Sequence, residues 1–76
     1  MFSYNVYKEA NNAELEKACN LIEKHFSVEK QSPIIDVDGS KIQEYISRDG
    51  VIKVFNDYEV DAVYIDSDLK LNNIFS

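Results

Sequence analysis

The sequence predicts one domain of mixed α and β structure, and three observations carry that reading. Leu15, Ala18, Cys19, Ile22 and Phe26 recur at helical spacing, with charged residues opposite them. Two β-branched, aromatic runs, Val51–Phe55 and Val60–Ile65, flank the turn-forming residues Asn56–Glu59. With 76 residues the chain has room for a single core. The expected architecture is α/β, with α+β as the alternative. It would be one mixed four-stranded sheet with packed helices in the order β-α-β-α-β-β, with or without a closing helix.

Phe2, Tyr4 and Val6 alternate with polar residues, as a strand with one buried face would. Asn11, followed three residues later by Glu14, has the form of a helix N-cap with an acid in the first turn, and opens a helix over 12–26. Ser32-Pro33 ends any helix, and Ile34–Val37, bounded by Asp38-Gly39, reads as a second strand. Ser40-Lys41-Ile42-Gln43 fits a capping box, with Ile42, Tyr45 and Ile46 on one helical face, and predicts a short helix over 41–48. The competing strand reading would align Ile42, Glu44 and Ile46 and so place Glu44 among apolar residues. After Asp66-Ser67-Asp68, the residues Leu69, Leu71, Ile74 and Phe75 suit a short terminal helix capped by Ser67 or Asp66, or a last strand. The crossovers are long enough to make the first strands parallel.

That element order resembles the thioredoxin superfamily, and the length is similar to that of the glutaredoxins. The family's Cys-x-x-Cys would follow the first strand, where this chain reads Lys8–Glu14. Its cis-proline would precede the third strand, where this chain reads Gly50-Val51-Ile52, and its Gly-Gly falls on Asp66-Ser67-Asp68. The resemblance therefore implies the scaffold without its redox and glutathione chemistry.

Charge and composition narrow the function. The net charge of −6 is concentrated in residues 31–76, and a chain of that sign repels phosphate backbones. Direct nucleic-acid binding is not expected. No apolar run approaches the ~20 residues of a membrane helix, and the first residues lack a secretion signal, so the expected compartment is the cytoplasm. One cysteine and one histidine cannot supply a structural zinc site, and no glycine-rich phosphate loop can be assembled from Gly39 and Gly50. Aligning Gly39 with the glycine of an EF-hand loop puts Ile34 and Tyr45 where oxygen ligands are needed, so calcium is not expected. No cofactor, metal or catalytic residue is predicted. Cys19 falls on the apolar helix face and His25 at the helix end, where neither has a partner for nucleophilic or acid–base work.

What remains is an acidic surface. Asp57, Glu59 and Asp61 are spaced two apart around the hairpin, Asp66 and Asp68 follow it at the same spacing, and Tyr58 lies between acids in the hairpin loop. The expected function is a non-enzymatic acidic protein-binding module, an inhibitor or modulator docking on a basic, nucleic-acid-handling protein. Small acidic immunity proteins and phage-encoded inhibitors provide the analogy, which is one of size and charge. A monomer or weak homodimer is expected. The alternatives are single-thiol chemistry at Cys19 and a structural subunit that self-assembles through Leu71, Ile74 and Phe75.

Overall fold

A computed structural model describes residues 1–75. β1 spans Phe2–Tyr7, α1 Asn12–His25, β2 Glu29–Lys30, β3 Ile34–Ile35, β4 Lys41–Ser47, β5 Gly50–Asp57 and β6 Ala62–Ser67. The strands form one sheet in the order β1-β6-β5-β4-β2, with β3 also on β4, and every pairing is antiparallel. α1 is the sole helix among the described residues.

This architecture overturns the glutaredoxin-like α/β expectation and the thioredoxin resemblance. No two adjacent strands are parallel, and one helix, not several, packs on the sheet. The predicted helix over 41–48 is strand β4. Its capping-box residues are engaged elsewhere: the Ser40 hydroxyl accepts the Tyr58 N–H at 2.9 Å, and the Gln43 carboxamide donates to the Gln31 carbonyl at 2.6 Å. The chain after β6 closes as a turn, in which the Ile74 and Phe75 amides donate to the Leu71 carbonyl.

α1 forms as its sequence requires. The Asn11 side chain accepts the Glu14 N–H at 3.1 Å, and Leu15, Ala18, Cys19 and Ile22 are buried. That stripe covers one sheet face, made by Tyr4, Tyr45, Ile52, Val54 and Ile65, with Leu71 closing the core. Asn56, fully buried, fixes where the helix starts. Its Oδ1 accepts the Asn11 N–H at 2.8 Å, and its Nδ2 donates to Asn12 Oδ1 at 2.9 Å. At the other end of α1, the Tyr45 hydroxyl donates to Glu23 Oε2 at 2.6 Å, and Lys30 lies 3.5 Å from the same oxygen. Both partners shift: the Tyr45 hydrogen bond holds the Glu23 carboxyl below its ordinary range, while burial, then the carboxylate, pushes the Tyr45 phenol up.

β2 and β3 are one edge strand interrupted by a bulge. Between Lys30 and Ile34 the edge advances one residue more than β4 does between Tyr45 and Ile42. Pro33, which has no N–H to donate, lies within that interruption.

Candidate functional site

Among the described residues no helix or strand covers the face of the sheet away from α1, and its side chains follow from strand register. Ile34 pairs with Ile42, Ile42 with Phe55 and Phe55 with Tyr64, so an apolar and aromatic row runs across β3, β4, β5 and β6 and ends at the polar Asn5 of β1, which pairs with Tyr64. A parallel row is charged: Glu44 pairs with Lys53, Lys53 with Asp66 and Asp66 with Ser3. Lys53 Nζ lies 3.9 Å from Glu44, and the Ser3 hydroxyl donates to Asp66 at 2.9 Å. These contacts satisfy the charged row internally. The apolar row has only its own members to pack against.

Phe55 and Tyr64 stack with ring centroids 4.6 Å apart and planes within 10°. That separation matches the spacing of neighbouring strands, so the two rings stand side by side off the sheet. Burial, then the hydrogen bond from the Tyr64 hydroxyl to Asp57 Oδ2 at 3.1 Å, raises the pKa of the Tyr64 phenol.

Two turns extend beyond this row at the same end of the sheet. In the β3–β4 turn the Gly39 N–H donates to the Asp36 carbonyl and the Asp36 N–H to the Ser40 carbonyl, a three-residue hairpin loop that needs the positive φ of 88° at Gly39. The β5–β6 turn is held by Asp57 Oδ1, which accepts the Glu59 and Val60 amides at 2.9 and 3.4 Å. The Tyr58 ring lies beside Gly39, 3.6 Å from where a Cβ would stand, and this contact with the Ser40–Tyr58 hydrogen bond joins the turns.

Between them is a cleft of about 360 Å³. Ile42, Phe55 and Tyr64 line it together with the exposed Ile34 and Ile35, and its rim carries Asp36, Asp38, Asp57 and Glu59. The Ser40 amide, donating at 2.9 Å, holds the Asp38 carboxyl below its ordinary range and so keeps it charged. One cation, Lys41, also lines the cleft, and its Nζ lies 3.7 Å from Glu16 of the helix.

The six residues singled out in the sequence are not gathered at one place. Asp57 and Glu59 reach the cleft, and Tyr58 holds the turns together. Asp61, at φ 53°, accepts the Ala10 N–H at 2.9 Å. Asp66 belongs to the charged row, and Asp68 accepts the Val51 N–H at 3.0 Å near the β4–β5 turn. Ile34, Asp36, Asp38, Ile42, Phe55 and Tyr64 belong to the cleft without having been singled out.

The other candidates lie elsewhere. Cys19 is buried in the core, and desolvation raises its pKa, opposite to what a nucleophilic thiol needs. His25 is exposed at the end of α1. Leu71 is fully buried in the chain's own core, with Ile74 and Phe75 packed against it. Among the described residues, no three His, Cys, Asp or Glu side chains are grouped to hold a metal ion, and no helix is long and apolar enough to cross a membrane. No protein family, curated protein or solved structure gives a significant match to this chain.

Proposed function

We propose that this protein is a non-enzymatic binding module that docks the helix-free face of its sheet, at the cleft between its two turns, on a basic protein surface. The observation that carries the reading is one apolar floor, Ile34, Ile42, Phe55 and Tyr64, beside a rim of four carboxylates, Asp36, Asp38, Asp57 and Glu59. An apolar centre with a polar rim is how binding surfaces are built, and the sign of the rim selects the partner. A basic protein of the nucleic-acid-handling kind supplies that complement, and the acting protein would be an inhibitor or modulator of it. The cytoplasm suits a chain whose lone cysteine is buried and unpaired.

The test compares partner capture by the wild type and two variants matched in added charge. Ile34→Lys with Glu59→Lys alters the cleft, and Asn20→Lys with Asp49→Lys alters the helix and the far turn. Retention of a basic protein by the wild type and the second variant, but not the first, supports the reading. Equal retention by all three removes the cleft from the interaction. Sedimentation of the wild type as a dimer, with the cleft variant monomeric, would make a second copy the occupant and overturn the basic-partner reading.

A further inference from the structure

The two edges of the sheet are built differently. β2 and β3, which form one edge, are two residues each and are separated by a bulge that holds Pro33, and β2 consists of the charged Glu29 and Lys30. Short strands, charge, proline and bulges are the devices that keep an edge from pairing with another chain. β1, at the opposite edge, runs for six residues, Phe2-Ser3-Tyr4-Asn5-Val6-Tyr7, with no charge and no proline. Its one irregularity is a register shift after Asn5. Among the described residues its single strand neighbour is β6, and the other hydrogen bonds of its residues are made by the Ser3 and Tyr4 side chains. In an antiparallel strand paired on one side, alternate residues turn their N–H and C=O away from the neighbour. The outer edge of β1 therefore presents unpaired backbone groups, and Phe2, Ser3, Asn5 and Tyr7 are exposed along it.

We propose that β1 pairs antiparallel with β1 of a second copy of this chain, joining two sheets into one across a two-fold axis at Tyr4. A two-fold pairing sets residue i against j and j against i, and residues opposite one another share a sheet face. Tyr4 and Phe2 belong to the face under α1, where Tyr4 is buried and Phe2 stands opposite the buried Ser67. Ser3 and Asn5 belong to the other face, opposite Asp66 and Tyr64. With the axis at Tyr4, Ser3 meets Asn5 of the second copy, polar against polar, and Phe2, 41% exposed in the single chain, meets Val6. The regular stretch Ser3–Asn5 is then centred on the axis, with the register shift outside it. Charge does not oppose this joint, although each copy carries a net −6. Lys8 and Glu9 lie beyond the paired residues, and Asp66 stands one strand in from the edge. The Asp66 residues of the two copies are thus three strand spacings apart, at least about 14 Å, which exceeds the ~8 Å over which charges act at physiological salt. Edge pairing adds no layer over the open face, so the cleft stays accessible in the dimer.

Sedimentation equilibrium and ¹H–¹⁵N spectra of the labelled protein, recorded at low salt from about 10 μM to about 1 mM, read this pairing. The joint is small beside the roughly 1,200–2,000 Å² of stable interfaces, so a dissociation constant on the order of 0.1 mM is expected. The amides of Ser3, Tyr4 and Asn5 should shift with concentration. Two double variants at exposed positions test the axis. Ser3→Lys with Asn5→Lys sets lysine against lysine twice and should weaken the dimer about tenfold. Ser3→Lys with Asn5→Glu sets lysine against glutamate twice and should dimerise at least as well as the wild type. General repulsion between copies predicts the reverse order, because two added lysines reduce the net charge of −6. Circular dichroism melts check that both variants fold. A monomer at about 1 mM, ten times the expected dissociation constant, would overturn the proposal, as would a dimer unaffected by the double lysine or one lost in both variants. The cleft variant, Ile34→Lys with Glu59→Lys, should dimerise as the wild type does while losing its basic partner. If it is monomeric instead, the second copy occupies the cleft, and the edge pairing falls together with the basic-partner reading. If it dimerises and still retains the partner, the edge pairing stands and only the docking reading is lost.

Discussion

Replacing Asn56 by leucine removes the tie between sheet and helix while keeping the number and branching of the side-chain heavy atoms. In the native protein the Asn56 carboxamide is fully buried and makes two hydrogen bonds, to the Asn11 N–H and to Asn12 Oδ1. Leucine leaves the Asn11 amide with no acceptor at the helix start, and an unsatisfied donor in a partly buried site costs about 1–3 kcal/mol. Asn12 is exposed, so water replaces its lost partner and adds little. Leucine's methyl groups are bulkier than the carboxamide they replace, so no cavity forms and crowding adds to the loss, which is expected to be at least about 2 kcal/mol. For a domain of this size that lowers Tm by about 8–16 °C. Thermal unfolding followed by circular dichroism reads the shift, and urea unfolding should show a lower midpoint with an unchanged slope. Asn12→Ala, which removes the exposed partner, should stay within about 0.5 kcal/mol of wild type. If Asn56→Leu also stays within that margin, the amide does not anchor the helix and the account of α1's start is wrong.

Gly50, at φ 139°, would bring an added Cβ to 2.4 Å from the Asp68 Cβ, so Gly50→Ala should cost at least about 2 kcal/mol, read as a lower urea midpoint. An unchanged midpoint would show that the β4–β5 turn has room the structure does not give it. Tyr45→Phe should destabilise by about 1–2 kcal/mol at pH 7 by deleting the bond to Glu23. Because the folded Glu23 carboxyl lies below its unfolded value, that stability is full above about pH 4.5 and declines as pH falls through the folded value. The difference between wild type and variant should therefore narrow from pH 5 to pH 3, about the span over which such a carboxylate protonates, and a constant difference would refute the linkage. Cys19, buried and with its pKa raised, should react with a thiol reagent in the native state far more slowly than in urea. Equal rates would restore the single-thiol alternative.

The legible parts of the fold were those whose stabilising contacts are local. Asn11 caps α1 through its own side chain, and the buried stripe Leu15, Ala18, Cys19 and Ile22 is the one its spacing predicts. Strand β1 and the β5–β6 hairpin were also readable, but the hairpin loop lies later than the expected 56–59. Pairing ends at Asp57 and Ala62, because the Asp57 carboxylate binds the Glu59 and Val60 amides and Asp61 takes the left-handed position. That displacement hid the Phe55–Tyr64 stack, since the earlier loop sets Phe55 against Val60. The terminal residues read as a helix, yet what orders them is distant in sequence: the Tyr4 hydroxyl accepts the Leu71 N–H at 2.8 Å and donates to Asn72.

Strand β4 shows why the site itself was not legible. Ile42, Glu44 and Ile46 do alternate, but a strand with their side turned inward places Glu44 among apolar residues, and that favours the helix. That inference holds only if the apolar side of the alternation faces the core. In the folded chain the core side of β4 includes Gln43 and Tyr45, two residues that leave no buried polar atom without a partner, and Ile42, Glu44 and Ile46 look outward. Glu44 is stable there because Lys53 stands across from it on β5. An antiparallel sheet covered on one face normally turns its polar residues to the other. Here Ile42, Phe55 and Tyr64 occupy the uncovered face, an arrangement that does not follow from the needs of this chain's own core. The inversion of pattern in β4 and the apolar row across β3, β4, β5 and β6 are thus the same feature, and it is the feature on which the binding proposal rests.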